Sequence, residues 1–267
     1  GARDSLKHAI ALDSHYLPVR IALVELEGRE GNYVEAMSLA RELQTLRPKD
    51  AVGNLLIGDI HFRQKRFDRA IDAYGAGLKK TDTSSLVVRL YNARRQAGKM
   101  TEALEELQRW IDRKGDRVAR HVLATGYIST GAHDAAIRES ERLLEKEDRN
   151  PVILNNLAWL YQQKGDNRAA SFAERALNQA PKSSAILDTL GWILVEKGEM
   201  PRALELLRKA NTLAPEMGDI QYHMAVALHK SGRSNEARRE LERLLKSERR
   251  FSMQGEAHNL LRQLGGG

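Results

Sequence analysis

The sequence predicts an all-α protein, a solenoid of about seven stacked helical hairpins, on three observations. An alanine recurs at Ala36, Ala70, Ala103, Ala136, Ala169, Ala203 and Ala237, in steps of 33 or 34 residues. A glycine stands five positions before most of these, at Gly31, Gly98, Gly131, Gly198 and Gly232. Of the 267 residues, 30% are charged, 42% apolar and only 5% aromatic, a balance that suits a thin helical object with much surface better than a compact enzyme. A fixed period of this length marks a repeat array, in which each unit buries its apolar face against the next.

Each period reads as two helices. Ser184 to Lys197 carries Leu187, Leu190, Gly191 and Leu194 on one helical face, the i, i+3, i+4, i+7 spacing. Gly198 then ends the helix, because glycine enters the left-handed conformation of a helix end without steric penalty. The second helix carries Ala203, Leu207 and Ala210, and Pro215 closes the unit, as Pro48, Asp82, Asp148 and Pro181 close others. Small residues at Gly58, Ala124, Ala158, Gly191 and Ala225 allow the two helices of a hairpin to approach closely. The expected repeats are 17–50, 51–83, 84–116, 117–150, 151–183, 184–217 and 218–250. Before them, 2–14 reads as the second helix of a truncated repeat, and after them 252–264 reads as a single capping helix. The whole of 1–267 is expected to be one array, cut from a longer one. Two irregularities stand out: Lys65 replaces the turn glycine of the second unit, and Gly165 precedes Ala169 by only four.

These residues resemble the tetratricopeptide repeat (TPR). Its first helix has a large apolar residue, a leucine, a small residue and an aromatic, and its second has an alanine, an aromatic and another alanine before a proline. The unit "ILDTLGWILVEKGEMPRALELLRKANTLAP" meets most of that pattern with Leu187, Leu190, Gly191, Leu194, Ala203, Leu207, Ala210 and Pro215. Departures occur at Tyr91, where a small residue is expected, at Glu27 and Arg94, where an apolar one is, and at Ala173, where a bulky one is. The resemblance implies a right-handed superhelix whose concave wall is lined by the first helices and takes up a peptide, a partner helix or a polymer.

Along that inward row, Trp159 and Trp192 fall 33 residues apart at the same repeat position. With Asn155, Gln162, Asp188, Val195, Tyr222, Val226 and His229 they form the candidate partner-binding groove, since tryptophan and tyrosine give large contact area at low entropic cost. The competing reading is that the tryptophans only pack against neighbouring repeats. The carboxylate-clamp TPR proteins hold chaperone tails with lysine and asparagine at these positions. Here they are tryptophan, aspartate and tyrosine, which argues against that ligand.

Composition excludes several chemistries. Without cysteine there is no disulfide frame and no thiolate nucleophile or metal ligand. The eight histidines show no metal-binding HExxH spacing, and Glu102, Glu105 and Glu106 read as a solvated helix face. No catalytic residue, metal or cofactor is expected, and the protein is read as a non-enzyme. The net charge of +7 raises nucleic acid as a partner, but Arg238, Arg239, Arg243, Lys246, Arg249 and Arg250 are interleaved with Glu236, Glu240, Glu242 and Glu248. Such spacing makes i, i+4 ion pairs, and the aromatics needed for base stacking are absent. No apolar run is long enough to span a membrane.

The stretch from about Asn150 to Leu264, with "NNLAWLYQQKGD" and "YHMAVALHKSGRSNEARRELERLL", is similar to the C-terminal repeats of bacterial envelope TPR lipoproteins of the PEP-CTERM and exopolysaccharide system. That similarity implies a periplasmic scaffold, lipid-anchored through a segment absent from this sequence, that holds a protein partner in exopolysaccharide assembly or export. The alternatives are a carbohydrate-binding module that guides a polysaccharide along the same wall, and a cytoplasmic TPR adaptor.

Overall fold

The computed structural model describes residues 1–13, 16–247 and 249–265. Ser14, which ends the helix expected over 2–14, lies outside them, as do His15, Glu248 and the last two glycines. Among the described residues every regular element is a helix.

The chain divides into two compact units, Gly1–Thr130 and Gly131–Gly267, a boundary within the stretch 117–150 that the sequence assigns to one hairpin. The first holds α1 (Ala2–Leu12), α2 (Leu17–Arg29), α3 (Tyr33–Leu46), α4 (Val52–Arg63), α5 (Phe67–Leu78), α6 (Ser84–Gln96), α7 (Met100–Lys114) and α8 (Arg117–Ser129). The second holds α9 (His133–Leu144), α10 (Pro151–Gln163), α11 (Arg168–Gln179), α12 (Ser184–Lys197), α13 (Met200–Leu213), α14 (Gly218–Lys230), α15 (Ser234–Lys246) and α16 (Gln254–Gly265). Within each unit successive helices pack in chain order, and alternate helices also meet, α2 with α4, α6 with α8, α10 with α12 and α12 with α14. Each unit is thus a stack of helical hairpins packed in chain order.

The turn inside each hairpin is a left-handed helix end. Gly31, Gly98, Gly165, Gly198 and Gly232 all have φ between 65° and 84°. The next amide reaches back to close the helix, as when Glu199 N donates to Leu194 O at 2.9 Å. Lys65 does the same work at φ 58°, with Arg66 N donating to His61 O at 2.9 Å, so the turn survives loss of its glycine.

Close approach explains the small residues. A Cβ on Gly191 would lie 2.7 Å from Leu207 Cγ, and one on Gly58 would lie 2.3 Å from Tyr74 Cε1. Tyr91, bulky where a small residue is expected, is buried beside Gly126, where a Cβ would come within 2.8 Å of its hydroxyl. The glycine for that pair stands on the next first helix instead. Arg94 lies against Glu106 at 3.2 Å, across the α6–α7 hairpin.

Glu27 is also compensated. It is only 2% exposed, and its carboxylate accepts from Asn32 Nδ2 at 2.7 Å and from Arg3 Nε and Nη2 at 2.6 and 3.1 Å. The bond from Asn32 chiefly, then those from Arg3, hold the carboxyl below its ordinary range against the opposing push of burial. The folded state therefore binds the proton less readily than the unfolded chain, and stability rises with pH through that window. The contribution is fully present above the ordinary glutamate range and is lost as pH falls through the depressed native value. Thermal melts of the native chain and of Glu27→Gln should show the native chain losing more stability on acidification. Equal slopes would remove Glu27 as the cause.

Candidate functional site

The predicted row lies on the first helices of the second unit, α10, α12 and α14, where α12 contacts both of the others. Positions 155, 159 and 162 share one face of α10 because side chains at i, i+4 and i+7 stack along a helix. Asn150 caps that helix, accepting from Val152 N at 3.0 Å, and Pro151 at its first position supplies a preset φ.

The row separates into three parts. On α12 and α14, the rings of Trp192 and His223 stack with centroids 4.4 Å apart and planes at 22°. His223 Nδ1 sits 2.8 Å from Asp188 Oδ1, and Tyr222 lies 6.0 Å from the imidazole, ring to ring. A carboxylate only accepts, so Nδ1 carries the proton in the neutral ring and the Nε2 edge is left as acceptor. Burial, with a smaller push from Glu256, raises the Tyr222 hydroxyl above its usual value. On α10, Trp159 meets His133 of α9 edge to face at 5.4 Å. No ring contact joins Trp159 to Trp192 among the described residues.

The third part is polar. Asn155 Oδ1 and both amide atoms of Gln162 are buried with no hydrogen-bond partner. His229 Nδ1 lies 3.1 Å from Ser234 Oγ. Two expected members do not belong to the surface: Val195 is 1% and Val226 8% exposed. At the position of Val226 in the other two repeats, Trp159 and Trp192 stay partly exposed, whereas the shorter valine is covered.

Sequence reasoning passed over His223 and His133. His223 follows Tyr222 by one, a position the repeat register places off the row. A helical side chain leans toward its own N-terminus, so neighbours on adjacent helices meet out of register. The signal available was Asp188, 35 residues before His223 and so one off the 34-residue step.

Two models described as tetratricopeptide repeat match the sequence, over residues 21–85 and 194–264. No curated protein matches it. Among solved structures, the chain is similar to one in the crystal structure of the APC/C hetero-tetramer Cut9–Hcn1, with TM-score 0.67, 15% identity, and 98% of this chain aligned to 52% of that one. A TPR protein from Parabacteroides merdae gives TM-score 0.54 and 17% identity over 85% of this chain and 91% of that one. YrrB, described as a TPR protein with an unusual peptide-binding site, gives TM-score 0.50 and 17% identity over 69% and 97%. The chain spans about half the length of the first of these, and at such identities the likeness is one of fold.

Proposed function

The chain belongs to the tetratricopeptide-repeat family, whose stacked hairpins serve as protein–protein interaction scaffolds, and on that premise we propose that its second unit holds an extended segment of a partner protein along α10, α12 and α14. The observation that carries this reading is the unused hydrogen-bonding capacity of Asn155 and Gln162 beside Trp159. A buried polar atom without a partner costs about 1–3 kcal/mol, and an amide side chain, both donor and acceptor, matches the alternating N–H and C=O of a peptide backbone. Trp159, Trp192 and Tyr222 are only partly buried and supply the apolar contact; Asp188, through His223, fixes the plane on which Trp192 rests. The wording of residues 150–264 supports the finer assignment: a lipid-anchored periplasmic scaffold of exopolysaccharide assembly or export. A second reading, a polysaccharide on the same row, is favoured by the Trp192–His223 stack, since a flat aromatic face is a surface on which a sugar ring packs.

The test compares partner recovery from envelope and soluble fractions by the native chain and by the double variant Trp159→Ala, Trp192→Ala. The variant should lose an envelope protein that the native chain retains, by about tenfold or more, as removal of two central aromatics implies. Equal recovery would take the row out of the function. A tryptophan fluorescence change on titration with purified exopolysaccharide, without protein recovery, would favour the polysaccharide.

A further inference from the structure

A second surface lies in the first unit, on a second helix rather than a first. A groove of about 960 Å³ runs along α3, bounded by α2, the end of α4 and the start of α5. Its lining divides into two chemistries. Val34, Met37 and Leu46 make an apolar part, and Val34 and Leu46 are 89% and 51% exposed. Arg41, Arg66 and Arg69 make a cationic part. The carboxylate of the lining, Glu42, faces Arg20 at 3.5 Å, and Arg41, Arg66 and Arg69 pair with no carboxylate among the described residues. This differs from α15, where Arg238 lies 2.8 Å from Glu242 and Arg243 lies 3.1 Å from Glu240.

The groove also holds two polar side chains, His61 and Gln64, whose Nδ1 and Oε1 atoms are buried. Burial first, then repulsion from Arg69, Arg66 and Arg41, pushes the His61 imidazole below its ordinary value, against a weaker opposing hydrogen bond with Gln64. Exposed aliphatic surface beside uncompensated guanidinium groups is what an amphipathic segment with carboxylates complements. Leucines or valines would cover the apolar part, and each guanidinium can take a carboxylate in a two-pronged hydrogen bond.

We propose that the groove along α3 docks an acidic amphipathic helical segment of a partner protein, its apolar side chains on Val34, Met37 and Leu46 and its carboxylates on Arg41, Arg66 and Arg69. The site is separate from the aromatic row and stands whether or not that row binds.

Fluorescence anisotropy on the whole chain tests it. The probe is a fluorescein-labelled helical peptide with leucines at i, i+3, i+4 and i+7 and glutamates on both flanks. The native chain and the Trp159→Ala, Trp192→Ala variant should bind it equally. Arg41→Glu, Arg69→Glu should weaken binding about tenfold or more, and Val34→Asp should also weaken it. Glutamate at position 69 falls in the first turn of α5, where the helix dipole favours negative charge, and circular dichroism verifies that each variant is folded. Arg41→Gln, Arg69→Gln is the milder pair with the same expected direction. Unchanged affinity in the arginine variants overturns the proposal. So does displacement of the peptide by polyglutamate, inorganic phosphate or duplex DNA as effectively as by unlabelled peptide, because charge alone would then suffice.

Discussion

Replacing Trp110 by alanine is expected to destabilise the first unit by about 3–5 kcal/mol, the range for truncating a large buried aromatic. Trp110 is 3% exposed and packs in a cluster with Val87, Leu107, Ile111, Ala119 and Leu123, which joins α6, α7 and α8. Its indole N–H donates to Asp116 Oδ2 at 2.7 Å, while Asp116 Oδ1 accepts from Val118 N at 2.9 Å and Ala119 N at 3.2 Å. One carboxylate therefore caps α8 and is held in place by the indole. Burial by itself would raise the Asp116 carboxyl. Hydrogen bonds from Ser84, Trp110 and the amides of Ala119 and Val118 outweigh it and keep the group ionised. Trp110→Phe keeps most of the volume but not the donor, and should cost only about 1–2 kcal/mol. Urea unfolding followed by circular dichroism measures both. A cost below that of Trp110→Phe for the alanine variant would show that the cluster collapses into the space, contrary to its packing. Hydrogen exchange at the first turn of α8 should rise in both variants.

The second large effect is expected from adding one carbon. Gly58→Ala places a methyl 2.3 Å from the ring of Tyr74, which is 1% exposed and cannot swing out, because its hydroxyl donates to Asp59 Oδ1 at 2.6 Å. Arg89 Nε donates to the same oxygen at 2.9 Å, so α4, α5 and α6 meet at one carboxylate. Overpacking of this kind costs about 1–3 kcal/mol, against which alanine's better helix propensity returns less than about 1 kcal/mol. In a Tyr74→Leu background the same substitution should be close to neutral. The double-mutant cycle then isolates the contact, and a purely additive result would mean that the methyl does not meet the ring.

Much of this protein was legible because a repeat states its register many times over. The alanine period announced an all-helical repeat array, and the departures at Tyr91, Glu27 and Arg94 were visible as misfits against their own neighbours. What relieved each misfit was not visible. Gly126 stands 35 residues beyond Tyr91, Arg3 24 before Glu27, and Glu106 12 beyond Arg94, distances that only packing converts into contact. The aromatic row shows the same division. Trp159, Trp192 and Tyr222 followed from register, but the His223 ring beneath Trp192 and the covering of Val195 and Val226 depend on how far each side chain reaches between helices. The groove along α3 was hidden for a further reason. Arg41, Arg66 and Arg69 look like any solvated basic residues until the carboxylates around them are located.

By itself, then, the sequence determined the helical class, the period, the turn positions and the family, because these arise from local propensity and from spacings that recur along one chain. Tertiary structure alone decided which buried charges find partners, which amide atoms are left without them and which arginines stay uncompensated. Those outcomes depend on distances between side chains on different helices, where a shift of a few ångströms separates a satisfied group from a free one.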